Sequence, residues 1–109
     1  MNFMTTAYEV VFAERFNEDI REARKWYNKQ QIGLGKKFYA EVKSSLEAIR
    51  KTPKFQIRYD NVRCLPLKIY PFMIHFTVDE KQKIILIAAC IHCSLNPHSH
   101  WLTEGSSHE

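Results

Sequence analysis

Phe72-Met73-Ile74-His75-Phe76-Thr77-Val78-Asp79 and, after Glu80-Lys81-Gln82, Ile84-Ile85-Leu86-Ile87-Ala88-Ala89 together read as two strands joined at hairpin length. In the first run Phe72, Ile74, Phe76 and Val78 share one face of an extended chain, while Met73, His75 and Thr77 share the other. The second run, extending to Cys93, is apolar on both faces, which predicts an inner strand with its second face also covered. Trp101, near the C-terminus, is a candidate for that cover.

Upstream, Val62 to Tyr70 is a third β-type run, set off from Phe72 by Pro71. Pro66 has no N–H to give a ladder, so this run belongs at a sheet edge or a bulge. The three runs make an antiparallel meander.

Before Pro53 the period changes from two to three and four. Phe16, Ile20, Ala23, Trp26 and Tyr27 gather on one face of a helix predicted to end near Gln30. Leu34, Phe38, Val42, Leu46 and Ile49 repeat the pattern until Thr52-Pro53, where proline disfavours helical geometry in the residue before it. Gly33-Leu34-Gly35 supplies the tight connection between the two helices. Tyr8-Glu9-Val10-Val11-Phe12 precedes the hairpin as a first strand. The order is β-α-α-β-β-β, an α+β fold with a helical hairpin on an antiparallel sheet.

The chain has 109 residues, 45% hydrophobic and 13% aromatic, enough for one core. One domain is expected over residues 1–102, with the small, polar stretch 103–109 frayed. Ile84 to Ile91 is too short to span a bilayer and no signal-peptide pattern opens the chain, so no membrane association and a cytoplasmic location are expected. Three cysteines, Cys64, Cys90 and Cys93, form no even disulfide framework. The net charge of +4 suits an acidic partner, nucleic acid or protein, and also ordinary solubility. The charged outer faces of both helices read as solvated surfaces with i,i+4 pairs.

In order, the chain carries Trp26-Tyr27, Gly33-Leu34-Gly35 with Phe38, Pro53, and Val62-Arg63-Cys64-Leu65-Pro66-Leu67. Tyr70-Pro71-Phe72, Ile74-His75-Phe76-Thr77-Val78-Asp79 and Ile84 to Ile91 leading to His92 and Asn96-Pro97 complete the series. This succession, from Tyr8 to Trp101, resembles the RelE/ParE superfamily of toxins and plasmid-stabilisation proteins. The resemblance implies a bacterial type II toxin neutralised by a cognate antitoxin in a hetero-oligomer. It further implies one of two activities: ribosome-dependent mRNA cleavage, as in the RelE branch, or poisoning of DNA gyrase, as in the ParE branch. A degenerate member that only binds its antitoxin is a third outcome. The long hairpin with Trp-Tyr before Gly-Leu-Gly looks more like the ParE side.

RNA cleavage needs a general acid, a general base and cations facing the phosphate. Arg63 matches the family's strand arginine and is the candidate phosphate clamp; its plain structural alternative is an ion pair anchoring the strand. His75 and His92 are the candidate acid–base groups, each with simple packing as the alternative. Lys54, Arg58 and Lys68 join Arg63 as candidates for binding phosphate or a target. Met73 and Leu95 stand where the family commonly has arginine; both losses remove positive charge and move the implied activity toward binding a protein. Cys90-Ile91-His92-Cys93 superficially offers a zinc site with His98 and His100. Cys90 and Cys93 are an odd number apart, which points them to opposite strand faces, so neither metal nor cofactor is expected.

Overall fold

The computed structural model describes residues 8–53 and 57–94; for 57–59 the backbone alone is described. Strand β1 (Glu9–Phe12) runs straight into helix α1 (Glu14–Gln30), and helix α2 (Leu34–Lys51) follows. Strands β2 (Ile57–Tyr59), β3 (Val62–Pro66), β4 (Phe72–Asp79) and β5 (Ile84–His92) complete the described elements, in the sheet order β1-β5-β4-β3-β2. The expected β-α-α-β-β-β order is present with one strand added. From β2 to β5 every pairing is antiparallel, as the meander predicts, whereas β1 lies parallel to β5 in register Glu9↔Ile84, so the whole sheet is mixed. β5 is indeed an inner strand.

The helical hairpin owes its closeness to two glycines. Gly33 takes a φ of 90° between the helices, a left-handed geometry that costs glycine little. Gly35 sits against α1: a Cβ there would lie 2.6 Å from the Arg24 carbonyl oxygen, and its N–H donates to Asn28 Oδ1 at 2.9 Å. The hairpin buries Phe16, Ile20, Ala23 and Tyr27 from α1, and Phe38, Val42 and Ile49 from α2, against Ile74, Phe76, Ile85 and Ile87 of the sheet. Each valine, isoleucine or phenylalanine among them contributes about 1.5–3 kcal/mol when fully buried. Leu34 and Leu46 are partly buried against the same cluster. Trp26 departs from the expected core stripe and is 56% exposed, because its neighbour Tyr27 occupies the inward position one residue, or 100°, away.

The run expected from Val62 to Tyr70 ends as a strand at Pro66. Beyond it the Leu67 N–H donates to the Phe72 carbonyl across a bend, while the Lys68 and Ile69 N–H groups donate to the Glu41 carboxylate on α2. β3 is flanked by the short β2 only at Arg63 and Val62, so Pro66 lies past the paired part of that edge and costs no ladder hydrogen bond there.

Between β4 and β5 the register slips: His75 faces Ala89 but Phe76 faces Ile87, leaving Ala88 as the extra residue of a bulge. The slip changes which residues of β5 face the helices, from Ile85 and Ile87 before it to Cys90 and His92 after it. On the other sheet face Cys64, His75, Ala89 and Ile91 are buried as well, in keeping with a second covered face. Trp101, the candidate for covering it, and the tail 103–109 lie outside the described residues. No helix among the described residues is long and apolar enough to cross a membrane.

Candidate functional site

The three candidate catalytic residues occupy three different environments. Arg63 on β3 is opposite Phe76, on the helix-facing side of the sheet. One end of its guanidinium donates to the Pro53 carbonyl just beyond α2, and the other pairs with Glu80 Oε2 at 3.4 Å in the β4–β5 turn. Its side chain is 15% exposed. Glu80 also accepts the Tyr8 hydroxyl at 2.8 Å, and that hydrogen bond, with help from Arg63, holds its carboxyl below the ordinary range. Arg63 therefore ties together three segments, the anchoring geometry weighed against a phosphate clamp.

His75, opposite Cys64, is completely buried, with Nδ1 3.4 Å from Cys64 Sγ. A ring so enclosed does not meet a substrate in this conformation. His92, by contrast, is half-buried at the far end of β5, opposite Phe72, whose ring it meets edge-on at 5.0 Å. Its Nδ1 accepts the Ser94 N–H at 3.0 Å, which in the neutral ring assigns the proton to Nε2. Phe72 and Phe76 mark the levels of His92 and Arg63 on β4, four residues or about 13 Å apart. The fold thus separates the three.

Lys68 is exposed on the bend that Glu41 holds. Lys54 and the side chain of Arg58 lie outside the described residues. Among the described residues no group of histidine, cysteine and carboxylate side chains could hold a metal ion. Cys90 is buried and Cys93 exposed beyond the end of β5; burial, followed by the nearby Asp19 and Cys93, pushes the Cys90 thiol up to about 12. Such a thiol stays protonated and unreactive at neutral pH.

What the fold assembles instead is a pair of grooves, one on each flank of α1. The first, about 490 Å³, follows the seam with α2. Phe12, Phe16, Ile20, Tyr39 and Leu46 give it an apolar floor and Arg21, Arg24 and Lys25 a cationic wall, and no carboxylate among the described residues lines it. The Arg24 guanidinium lies 4.5 Å from the centre of the Tyr39 ring and Lys43 Nζ 5.1 Å from it, so the aromatic face already attracts cations.

The second groove, about 580 Å³, lies between α1 and the Phe72–His92 end of the sheet. Trp26, Tyr27, Phe72 and His92 wall it, and its charged residues among those described are Arg15, Asp19 and Glu22. Asp19 Oδ2 accepts the Cys90 N–H at 2.9 Å and pairs with Arg15 at 3.5 Å. Partial burial raises the Asp19 carboxyl above its ordinary range, against the opposing pull of the Cys90 hydrogen bond and Arg15. Sequence reasoning took Arg15, Asp19 and Glu22 for a solvated face and Trp26 for core. The signal was their spacing: 15, 19, 22 and 26 form a second helical stripe.

A family model described as the ParE toxin of the type II toxin-antitoxin system, parDE, matches residues 10–96. Among solved structures, the chromosomal ParDE system from P. aeruginosa is similar at 15% identity and a TM-score of 0.71, over 80% of this chain and 97% of that one. The isolated E. coli RelE toxin gives 13% identity and 0.61, over 90% and 97%, and the RelBE2 complex from Mycobacterium tuberculosis 13% and 0.54, over 79% and 98%. At these identities the likeness concerns the fold. No curated protein sequence matches the chain.

Proposed function

Because the chain belongs to the ParE toxin family of type II toxin-antitoxin systems, we propose that it disables a protein target, DNA gyrase in the first instance, and is held inactive by a cognate antitoxin. The observation that carries this reading is the dispersal of the acid–base and phosphate candidates. Cleavage of RNA needs an acid, a base and a cation converging on one phosphate. Here Arg63 is bound to Pro53 and Glu80, His75 is enclosed, and His92 stands at the other end of the sheet. Met73 adds no positive charge where the family commonly has arginine. Binding a protein makes no demand for such convergence.

The cationic groove between α1 and α2 supports the antitoxin half of the proposal. An acidic amphipathic segment would set its apolar side on Phe12, Phe16 and Leu46 and its carboxylates against Arg21, Arg24 and Lys25.

Induced expression without the antitoxin tests the reading. It should arrest growth, purified protein should block gyrase supercoiling, and cellular mRNA should show no new cleavage ends by primer extension. Cleaved mRNA with intact supercoiling would replace it with the RelE-type endonuclease, and undisturbed growth with a non-toxic member that binds its antitoxin alone. Arg63→Ala sharpens the choice: a binder keeps its toxicity with a lower melting temperature, whereas a phosphate clamp loses toxicity at an unchanged one.

A further inference from the structure

Resting on the reading of this chain as a toxin held by an antitoxin, we infer that the groove between α1 and the Phe72–His92 end of the sheet receives an arginine side chain of that antitoxin. The groove has the sign of charge opposite to the rest of the molecule. On a chain of net charge +4, its charged lining among the described residues is one cation, Arg15, against two carboxylates, Asp19 and Glu22. Phosphate is therefore repelled here, and a cation is favoured.

The walls choose among cations. Trp26 is more than half exposed, and Phe72 and His92 stand across from it. A planar guanidinium stacks on aromatic faces and forks onto carboxylate oxygens; a lysine ammonium is more strongly hydrated and has no plane to stack. An uncharged apolar side chain would fill the aromatic part of the groove but strip water from Asp19 and Glu22 without replacing its hydrogen bonds.

Asp19 is held in place for such a role. Both of its contacts among the described residues fall on Oδ2, from the Cys90 N–H and from Arg15, and Oδ1 retains its acceptor capacity. The Cys90 N–H that holds it belongs to β5, just past the bulge at Ala88, so the carboxylate is positioned by the sheet as well as by its own helix.

The test uses the full chain and two probes, N-acetyl-arginine amide and N-acetyl-norleucine amide, which differ chiefly in the guanidinium. The readout is the Trp26 indole N–H in nitrogen-15 spectra, assigned with a Trp101→Phe variant since the chain has two tryptophans. The arginine probe should shift this signal saturably and the norleucine probe should not. Glu22→Gln, on the exposed side of α1, should weaken the arginine probe by about threefold, the scale of an exposed charge pair. Equal response to both probes, no saturation with arginine, or an unchanged affinity in Glu22→Gln would overturn the inference. The toxin reading fails separately, in the growth assay, and that failure would leave probe binding intact.

Discussion

The two flanks of α1 are built from the same helix and differ in almost every other respect. Toward α2, Arg21, Arg24 and Lys25 line a cationic groove over an apolar floor. Toward β5, Arg15, Asp19 and Glu22 leave an excess of carboxylate beside four aromatic rings. The backbones of both are fixed by the same core, so the difference lies in side chains one to three positions apart along the helix. A partner that wraps α1 must change the sign of its own charge on the way across, and a uniformly acidic or basic partner satisfies one flank alone. The toxin's net charge of +4 conceals this pattern.

The largest perturbation of the comparison is to remove its common support. Phe38 is fully buried, with the rings of Tyr27, Tyr70 and Phe72 at 5.2–5.3 Å from its own. Phe38→Ala should cost about 3–5 kcal/mol in urea denaturation and loosen the aromatic flank first, since Tyr27 and Phe72 are in its wall. A loss below about 1 kcal/mol would mean that the aromatic cluster does not support that wall.

Gly35→Ala acts on the other flank. The added methyl meets the Arg24 backbone oxygen, which cannot swing aside, so the helices must part at a cost of about 1–3 kcal/mol. The Trp26 indole signal should stay in place while the amide signals of Arg24 and Asn28 move. If Trp26 moves equally, the flanks are not independent.

Replacing Arg21, Arg24 and Lys25 with glutamine should slow antitoxin association about tenfold at low salt, with little change in dissociation. For the unaltered toxin the same slowing should follow as salt rises from about 0.1 to about 1 M, where the screening length falls from about 10 to about 3 Å. Surface-resonance kinetics that show no salt dependence would remove the cationic groove from the encounter.

The smallest expected effect belongs to Asp19. Because burial raises its carboxyl, the folded protein binds this proton at higher pH than the unfolded chain does. The stability it contributes is therefore fully present with the carboxyl protonated and declines as pH rises through the raised range. Asp19→Asn abolishes that decline, so the variant's stability relative to wild type should be greater near pH 7 than near about pH 4, around the ordinary carboxylate value. A constant difference between the two pH values would show that burial of this carboxyl carries no cost.

Periodicity made most of the architecture legible, because a helix or strand with one buried face writes its period into the sequence. Phe16, Ile20 and Ala23, then Phe38, Val42 and Ile49, announced two helices, and the alternation from Phe72 to Val78 announced β4. β2 escaped notice since it has three residues, although Tyr59-Asp60-Asn61-Val62 is a turn signal at two-residue hairpin spacing. The parallel pairing of β1 with β5 is written in neither strand, because partners so distant in sequence are set by the rest of the fold. Arg63 was legible as a residue with a role, but its partners Pro53 and Glu80 come from other elements and were not. The stripe at Arg15, Asp19, Glu22 and Trp26 was in plain view, and a preference for placing tryptophan in the core obscured it.

The sheet's first strand is paired with its last, and that has a consequence during synthesis. Every described residue lining the cationic groove lies between positions 12 and 46, whereas β1 cannot be completed until β5 exists to receive it. At translation rates of about 5–20 residues per second, Leu46 precedes His92 by roughly 2–9 s. During that interval the chain contains the described residues of the cationic groove while the sheet that supports their hairpin is incomplete. On the docking proposed above, the described residues that would contact the antitoxin are therefore all synthesised before β5 exists to complete the sheet.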